Sequence, residues 1–263
     1  MSQKIYFGSN LKMYKTVQQT EKYLKDLTIC TEEIRKKYPQ VQLFILPSYT
    51  ALEKAAECTD QSVIKIGAQN MCWEDEGQFT GEISPVMLEE LGVNLVMAGH
   101  SERRHVFGES NIEENKKMLA AIKHRFTGLL CIGETGEEKA YGISDEVLRT
   151  QLKVGLYGLA KEDASNIWVA YEPVWSIGVN GTPASAEYAE AKHQVIRETL
   201  VELFDEAGKE IPALYGGSVN MSNAVELFAQ PHIDGLYVGR AAWHADKFAE
   251  LMKSVLESQN KII

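Results

Sequence analysis

Residues 169–185 read Val169-Ala170-Tyr171-Glu172-Pro173-Val174-Trp175-Ser176-Ile177-Gly178-Val179-Asn180-Gly181-Thr182-Pro183-Ala184-Ser185. The stretch completes a short apolar, β-branched and aromatic run over residues 167–171, strand-sized and suited to burial. A carboxylate, Glu172, stands where that strand ends, and Pro173 stops it by withholding a backbone donor. The loop beyond carries Val174, Trp175 and Ile177, with Gly178 and Gly181 behind them. Solvated loops rarely hold so much apolar surface, so this one is expected to close over something. A carboxylate at a strand end under such a lid is the arrangement of a base kept dry during a reaction. The plainer alternative is a surface glutamate beside a packed loop.

Seven further strand-sized apolar runs surround this one, at residues 4–9, 41–46, 63–67, 95–98, 128–132, 213–215 and 235–238. Helical patterns fall between them at 112–124, 145–159, 186–203, 222–228 and 246–256. An earlier helix starts at a capping box of Thr16 with Gln19, after which Val17, Leu24, Leu27 and Ile34 recur at helical spacing. Eight strands alternating with helices, with no linker or break in composition, predict one (β/α)8 barrel, a single domain over residues 1–263. An open doubly wound sheet is the alternative. Against it, no Gly-x-Gly-x-x-Gly fingerprint follows the first strand.

Composition narrows the function. Apolar residues make up 44% and charged residues 24% of the 263, the balance of an ordinary globular protein. The apolar runs are too short to span a membrane, and residues 1–7 lack the apolar core of a signal peptide. Cys30, Cys58, Cys72 and Cys131 show neither metal-ligand spacing nor a disulfide framework, so reduced thiols in a cytoplasmic protein are expected. A net charge of −10 argues against a nucleic-acid partner, whose binding would need a basic face. A small anion is still allowed, because backbone dipoles can hold one against an acidic surface.

The polar residues collect where strands end: Asn10 and Lys12, His100 and Glu102, Glu172, Ser218, then Gly239 and Arg240. In a barrel those ends converge on one face, where active sites sit. The glycine turns at Gly178, Gly216-Gly217 and Gly239 leave backbone N–H groups free to meet an anion, and together they suggest a phosphate site. Each glycine singly is also an ordinary turn residue.

Four blocks carry a family resemblance: Asn10-x-Lys12, Gly99-His100-Ser101-Glu102-Arg103-Arg104, Tyr171-Glu172-Pro173-Val174-Trp175-x-Ile177-Gly178 and Tyr215-Gly216-Gly217-Ser218-Val219. In kind and order they are similar to the triosephosphate isomerase family, over nearly the whole chain. The resemblance implies that Glu172 takes a proton from the carbon beside a carbonyl and that His100 polarises that carbonyl. This family is itself the usual illustration of a histidine kept neutral by a helix N-terminus, and Ser101-Glu102-Arg103 could open such a helix here. It further implies that Lys12 and Asn10 hold the substrate oxygens, and that Gly178, Ser218, Gly239 and Arg240 bind phosphate through backbone N–H groups. No metal or organic cofactor is implied. The family is dimeric through the loop after the third strand, so Gln69 and Thr80 are expected in that loop, with Thr80 near Asn10 and Lys12 of a second subunit.

The sequence also departs from the family. Pro183 stands where an alanine usually donates an N–H to the tyrosine matching Tyr215, so the lid must be latched differently. Gly239-Arg240 replaces a glycine pair, and its guanidinium is expected to meet an acid or the ligand. Tyr14 replaces an asparagine and Tyr237 a leucine. The lid ending, residues 231–236 and the Gly-Arg-x-Ala-Trp block at 239–243 resemble the erythrulose-phosphate isomerase branch. That branch implies conversion of L-erythrulose 1-phosphate to D-erythrulose 4-phosphate, in place of dihydroxyacetone phosphate to glyceraldehyde 3-phosphate. A barrel that binds a sugar phosphate without turnover is a third reading, disfavoured because such a binder has no need of Glu172.

Overall fold

The structure, a computed structural model, describes residues 4–178 and 181–259. Val179 and Asn180 of the lid motif lie outside the described residues, as do both chain ends. Among the described residues eight strands form one closed parallel barrel, each paired with the next and the last with the first. They are β1 (Ile5–Asn10), β2 (Val41–Leu46), β3 (Lys65–Ala68), β4 (Leu95–Ala98), β5 (Thr127–Ile132), β6 (Ile167–Tyr171), β7 (Ala213–Tyr215) and β8 (Gly235–Tyr237). The barrel expected from the alternating runs is present, and the open sheet is not.

Helices follow the strands: α1 (Val17–Cys30), α2 (Glu32–Lys37), α3 (Tyr49–Cys58), α4 (Pro85–Glu90), α5 (Ser101–His105) and α6 (Asn111–Lys123). The second half adds α7 (Gly136–Ala140), α8 (Ser144–Gly155), α9 (Ala186–Phe204), α10 (Ala224–Phe228) and α11 (Ala245–Gln259). The Thr16–Gln19 capping box forms as read, closing two backbone donors at the start of α1. Strand β3 begins two residues later than the apolar run, because the N–H groups of Val63 and Ile64 both turn back onto the Asp60 carbonyl. None of the helices described is long and apolar enough to cross a membrane, and the four cysteines are free thiols.

Two apolar layers result from the strand period of two. Tyr6, Phe44, Leu46, Leu95, Met97, Leu129, Cys131, Trp168, Ala170, Leu214 and Tyr237 fill the barrel interior. Their neighbours in sequence, among them Phe7, Ile45, Val96, Leu130, Val169 and Tyr215, pack outward against the helices. Strands buried on both faces explain why the runs read as continuously apolar rather than alternating.

Candidate active site

In β6, Trp168 and Ala170 face the barrel interior while Ile167, Val169 and Tyr171 face the helices. Carrying that alternation past the strand end turns Glu172 inward at the mouth of the barrel. Its carboxylate is 3% exposed. Oε2 accepts the Ser101 N–H at 3.2 Å, and Oε1 stands 3.5 Å from His100 Nε2. The adjacent β5 turn can come this close only at a glycine: a Cβ on Gly133 would lie 1.9 Å from the Glu172 carbonyl oxygen.

His100 ends the β4 loop and caps α5 with its own ring, Nδ1 accepting the Glu102 N–H at 3.1 Å. A ring nitrogen that accepts holds no proton, so the neutral imidazole keeps its hydrogen on Nε2, the nitrogen beside Glu172. That N–H can be donated to a carbonyl oxygen. Arg104 fixes the turn from behind, its guanidinium donating to the carbonyls of Gly99 at 2.7 Å and Cys131 at 3.1 Å and to Asn111 Oδ1 at 2.6 Å.

Lys12 follows β1 with φ at +50°, a left-handed conformation that costs a non-glycine residue about 1–3 kcal/mol. Surrounding hydrogen bonds over-determine it. Its N–H donates to Asn10 Oδ1 at 2.7 Å, and its carbonyl accepts from Gln69 Nε2 at 3.0 Å. Its Nζ pairs with Glu102 Oε1 at 2.6 Å, and the buried Asn10 accepts the Trp243 indole N–H on its carbonyl at 3.0 Å. Glu102 therefore links the lysine loop to the helix that His100 caps.

The root of the lid is pinned beneath this group. Trp175 donates its indole N–H to Glu134 Oε1 at 2.8 Å, and Tyr188 and Tyr171 donate their hydroxyls to the same carboxylate at 2.8 and 3.0 Å. Burial pushes both phenols up, Tyr188 to about 12, so they remain protonated donors. Beyond Trp175, Ser176 Oγ accepts the Ser218 N–H at 3.3 Å, and Arg240 donates to the Gly178 carbonyl at 3.0 Å. The guanidinium thus meets a lid carbonyl, where an acid or the ligand was expected. Pro183 withholds its donor as anticipated, and the backbone of Ala184, one residue on, faces the Tyr215 hydroxyl instead.

The structure therefore brings Asn10, Lys12, His100 and Glu172 to one end of the barrel, with Gly178, Ser218, Gly239 and Arg240 on the neighbouring turns. Gln69 braces Lys12 of its own barrel, and Thr80 is exposed on the loop between β3 and α4. Tyr14 lies against Trp243 with ring centroids 4.3 Å apart and the rings tilted by 39°, and Tyr237 is buried in the barrel with its hydroxyl on Met97 Sδ at 3.1 Å. Sequence alone assigns no role to the side chains of Glu134, Ser176, Arg104 and Trp243. Glu134 follows a strand end, and Arg104 and Trp243 lie inside quoted blocks. Nothing local marked Ser176.

The triosephosphate isomerase family matches residues 5–255. The L-erythrulose-1-phosphate isomerase of Rhizobium etli is 44% identical over 252 residues, 95% of this chain and 92% of that protein. That of Rhizobium meliloti is 41% identical over 254 residues, 95% of this chain and 96% of that protein. The triosephosphate isomerase of Dictyoglomus turgidum is 42% identical over 248 residues, 94% of this chain and 98% of that protein.

Proposed function

The chain belongs to the triosephosphate isomerase family and is an isomerase, and from that premise we propose that it interconverts L-erythrulose 1-phosphate and D-erythrulose 4-phosphate. The observation that carries the chemistry is the buried Glu172 carboxylate, placed 3.5 Å from a histidine nitrogen that bears the ring proton. Glu172 removes the proton from the hydroxyl-bearing carbon beside the carbonyl. The electron pair moves into the new C=C bond, and the carbonyl oxygen draws on the His100 Nε2 hydrogen. His100 then carries the hydroxyl proton across to the former carbonyl oxygen, and returning the carbon-derived proton from Glu172 to the former carbonyl carbon leaves the carbonyl one position along. Lys12 holds the negative charge of the enediolate, and Asn10 positions the oxygens. The backbone N–H groups of Gly178, Ser218, Gly239 and Arg240 receive the phosphate.

The substrate follows from the relatives and from the departures at the rim. Two relatives at 41–44% identity carry the erythrulose name, and residues 239–243 differ from the usual family pattern. The same residues would serve the triose, which is the erythrulose phosphate lacking one CH2OH. The Dictyoglomus relative, 42% identical, keeps that second reading in view. The deciding measurement is turnover of the two ketose phosphates side by side, each with a Glu172→Gln control. A preference of tenfold or more in kcat/KM for the tetrulose phosphate, about 1.4 kcal/mol, is expected. A triose preference would overturn the substrate assignment and leave the reaction class standing.

The functional unit in this reading is a homodimer in a reducing cytoplasm. Met13 is 93% exposed and Tyr14 and Phe79 are also exposed, on the loops after β1 and β3 that the family uses for pairing. The free thiols suit that compartment. Sedimentation at micromolar concentration should give twice the chain mass.

A further inference from the structure

Ser176 closes the short 3₁₀ turn Val174–Ser176 at the lid root and is fully buried. Its Oγ accepts the N–H of Ser218, the first backbone donor past the Gly216-Gly217 turn. The three groups meet across Gly217, where an added Cβ would lie 2.3 Å from the Tyr215 hydroxyl oxygen and 2.7 Å from Ser176 Oγ. Only glycine lets the lid hydroxyl come down onto this turn. The Tyr215 oxygen is buried beside the Ser176 hydroxyl and the Ala184 backbone.

A backbone N–H has one hydrogen to give. We propose that Ser176 is a positioning residue that competes with the substrate phosphate for the Ser218 N–H, coupling phosphate capture to release of the lid root. The inference rests on the assignment of Ser218 to the phosphate site made above. When a phosphate oxygen takes the N–H, Ser176 Oγ loses its donor. The turn that carries it, two residues ahead of Gly178, then loses one of its ties to the segment after β7. Binding is weaker than it could be by the strength of one hydrogen bond, and the lid moves in exchange.

Titration calorimetry with inorganic phosphate tests this on the wild type, Ser176→Ala and Ser176→Thr. The alanine variant should bind phosphate about three- to tenfold more tightly, the range one freed hydrogen bond gives. Threonine keeps the hydroxyl and should restore the wild-type constant. A merely structural role would weaken binding or leave it unchanged, and either result in Ser176→Ala overturns the proposal. Should that variant not fold, Ser176→Cys fills the space with a weak acceptor and must shift in the same direction. Phosphate that binds the wild type without competing against substrate would overturn the Ser218 assignment and this inference with it. Competition in the wild type with no change in the variants removes the inference alone.

Discussion

Replacing Glu114 by glutamine should stabilise the protein at pH 8 and do far less at pH 5. Glu114 lies on α6, fully buried, with its carboxyl group against that of Glu109. Lys117 stands 3.8 Å away but pairs more closely with Glu109, at 2.6 Å. Burial drives Glu114 up from 4.5 to about 7, against the opposing pull of Lys117. A carboxyl raised on folding contributes its full stability below about 4.5 and loses it as pH climbs through about 7. The gap from 4.5 to about 7 corresponds to a penalty of about 3 kcal/mol at pH 8 and less than about 1 kcal/mol at pH 5. Glutamine keeps the shape without the titration. Its own unmet hydrogen bonds cost the same at both pH values, so the difference between them isolates the charge. Burial also pushes Glu109 up, but hydrogen bonds from Arg103, Lys117 and Glu114 outweigh it and hold the group at about 2. Its stability is lost only below about 4.5, outside the window. Thermal melts at fixed protein concentration should show Glu114→Gln gaining about 5 °C more at pH 8 than at pH 5. An identical shift at both values would refute the reasoning and make the effect one of packing.

Two further substitutions test the site. Glu172→Asp withdraws the carboxylate by about 1.5 Å from the Ser101 N–H and His100 Nε2. It should lower kcat about a hundredfold, some 2.7 kcal/mol, with KM nearly unchanged. A loss below about fivefold would remove Glu172 from the role of base. Trp243→Phe keeps the ring under Tyr14 but deletes the indole N–H that holds the Asn10 carbonyl. About 1 kcal/mol of positioning should then appear as a three- to tenfold fall in kcat/KM with melting temperature little changed. A melting shift with full activity would make that bond purely structural.

Much of the architecture was legible in the chain because its signals are local. Strand-sized apolar runs, the proline at 173 and the Thr16–Gln19 cap each depend on residues within a few positions of one another, and all reappear in the folded protein. The inward aim of Glu172 follows from the same parity that buries Trp168 and Ala170. The residues of the candidate site could be named because barrel strands all deliver their ends to one face.

What the chain did not disclose depends on closure between distant segments. The helical pattern that overlaps α6 shows Glu114 and Lys117 as ordinary charges, and only the packed interior makes one of them costly. The bond from its N–H to Asn10 Oδ1 is the one local tie on Lys12 at φ +50°. Gln69, 57 residues on, and Glu102, 90 residues on, help to hold it there. The Arg240 contact with Gly178 and the Ser176 contact with Ser218 span 62 and 42 residues. Sequence alone determined the elements and which residues stand at their ends. The tertiary structure decided which hydrogen-bonding groups those residues meet, because barrel closure places partners that sequence neighbours cannot choose.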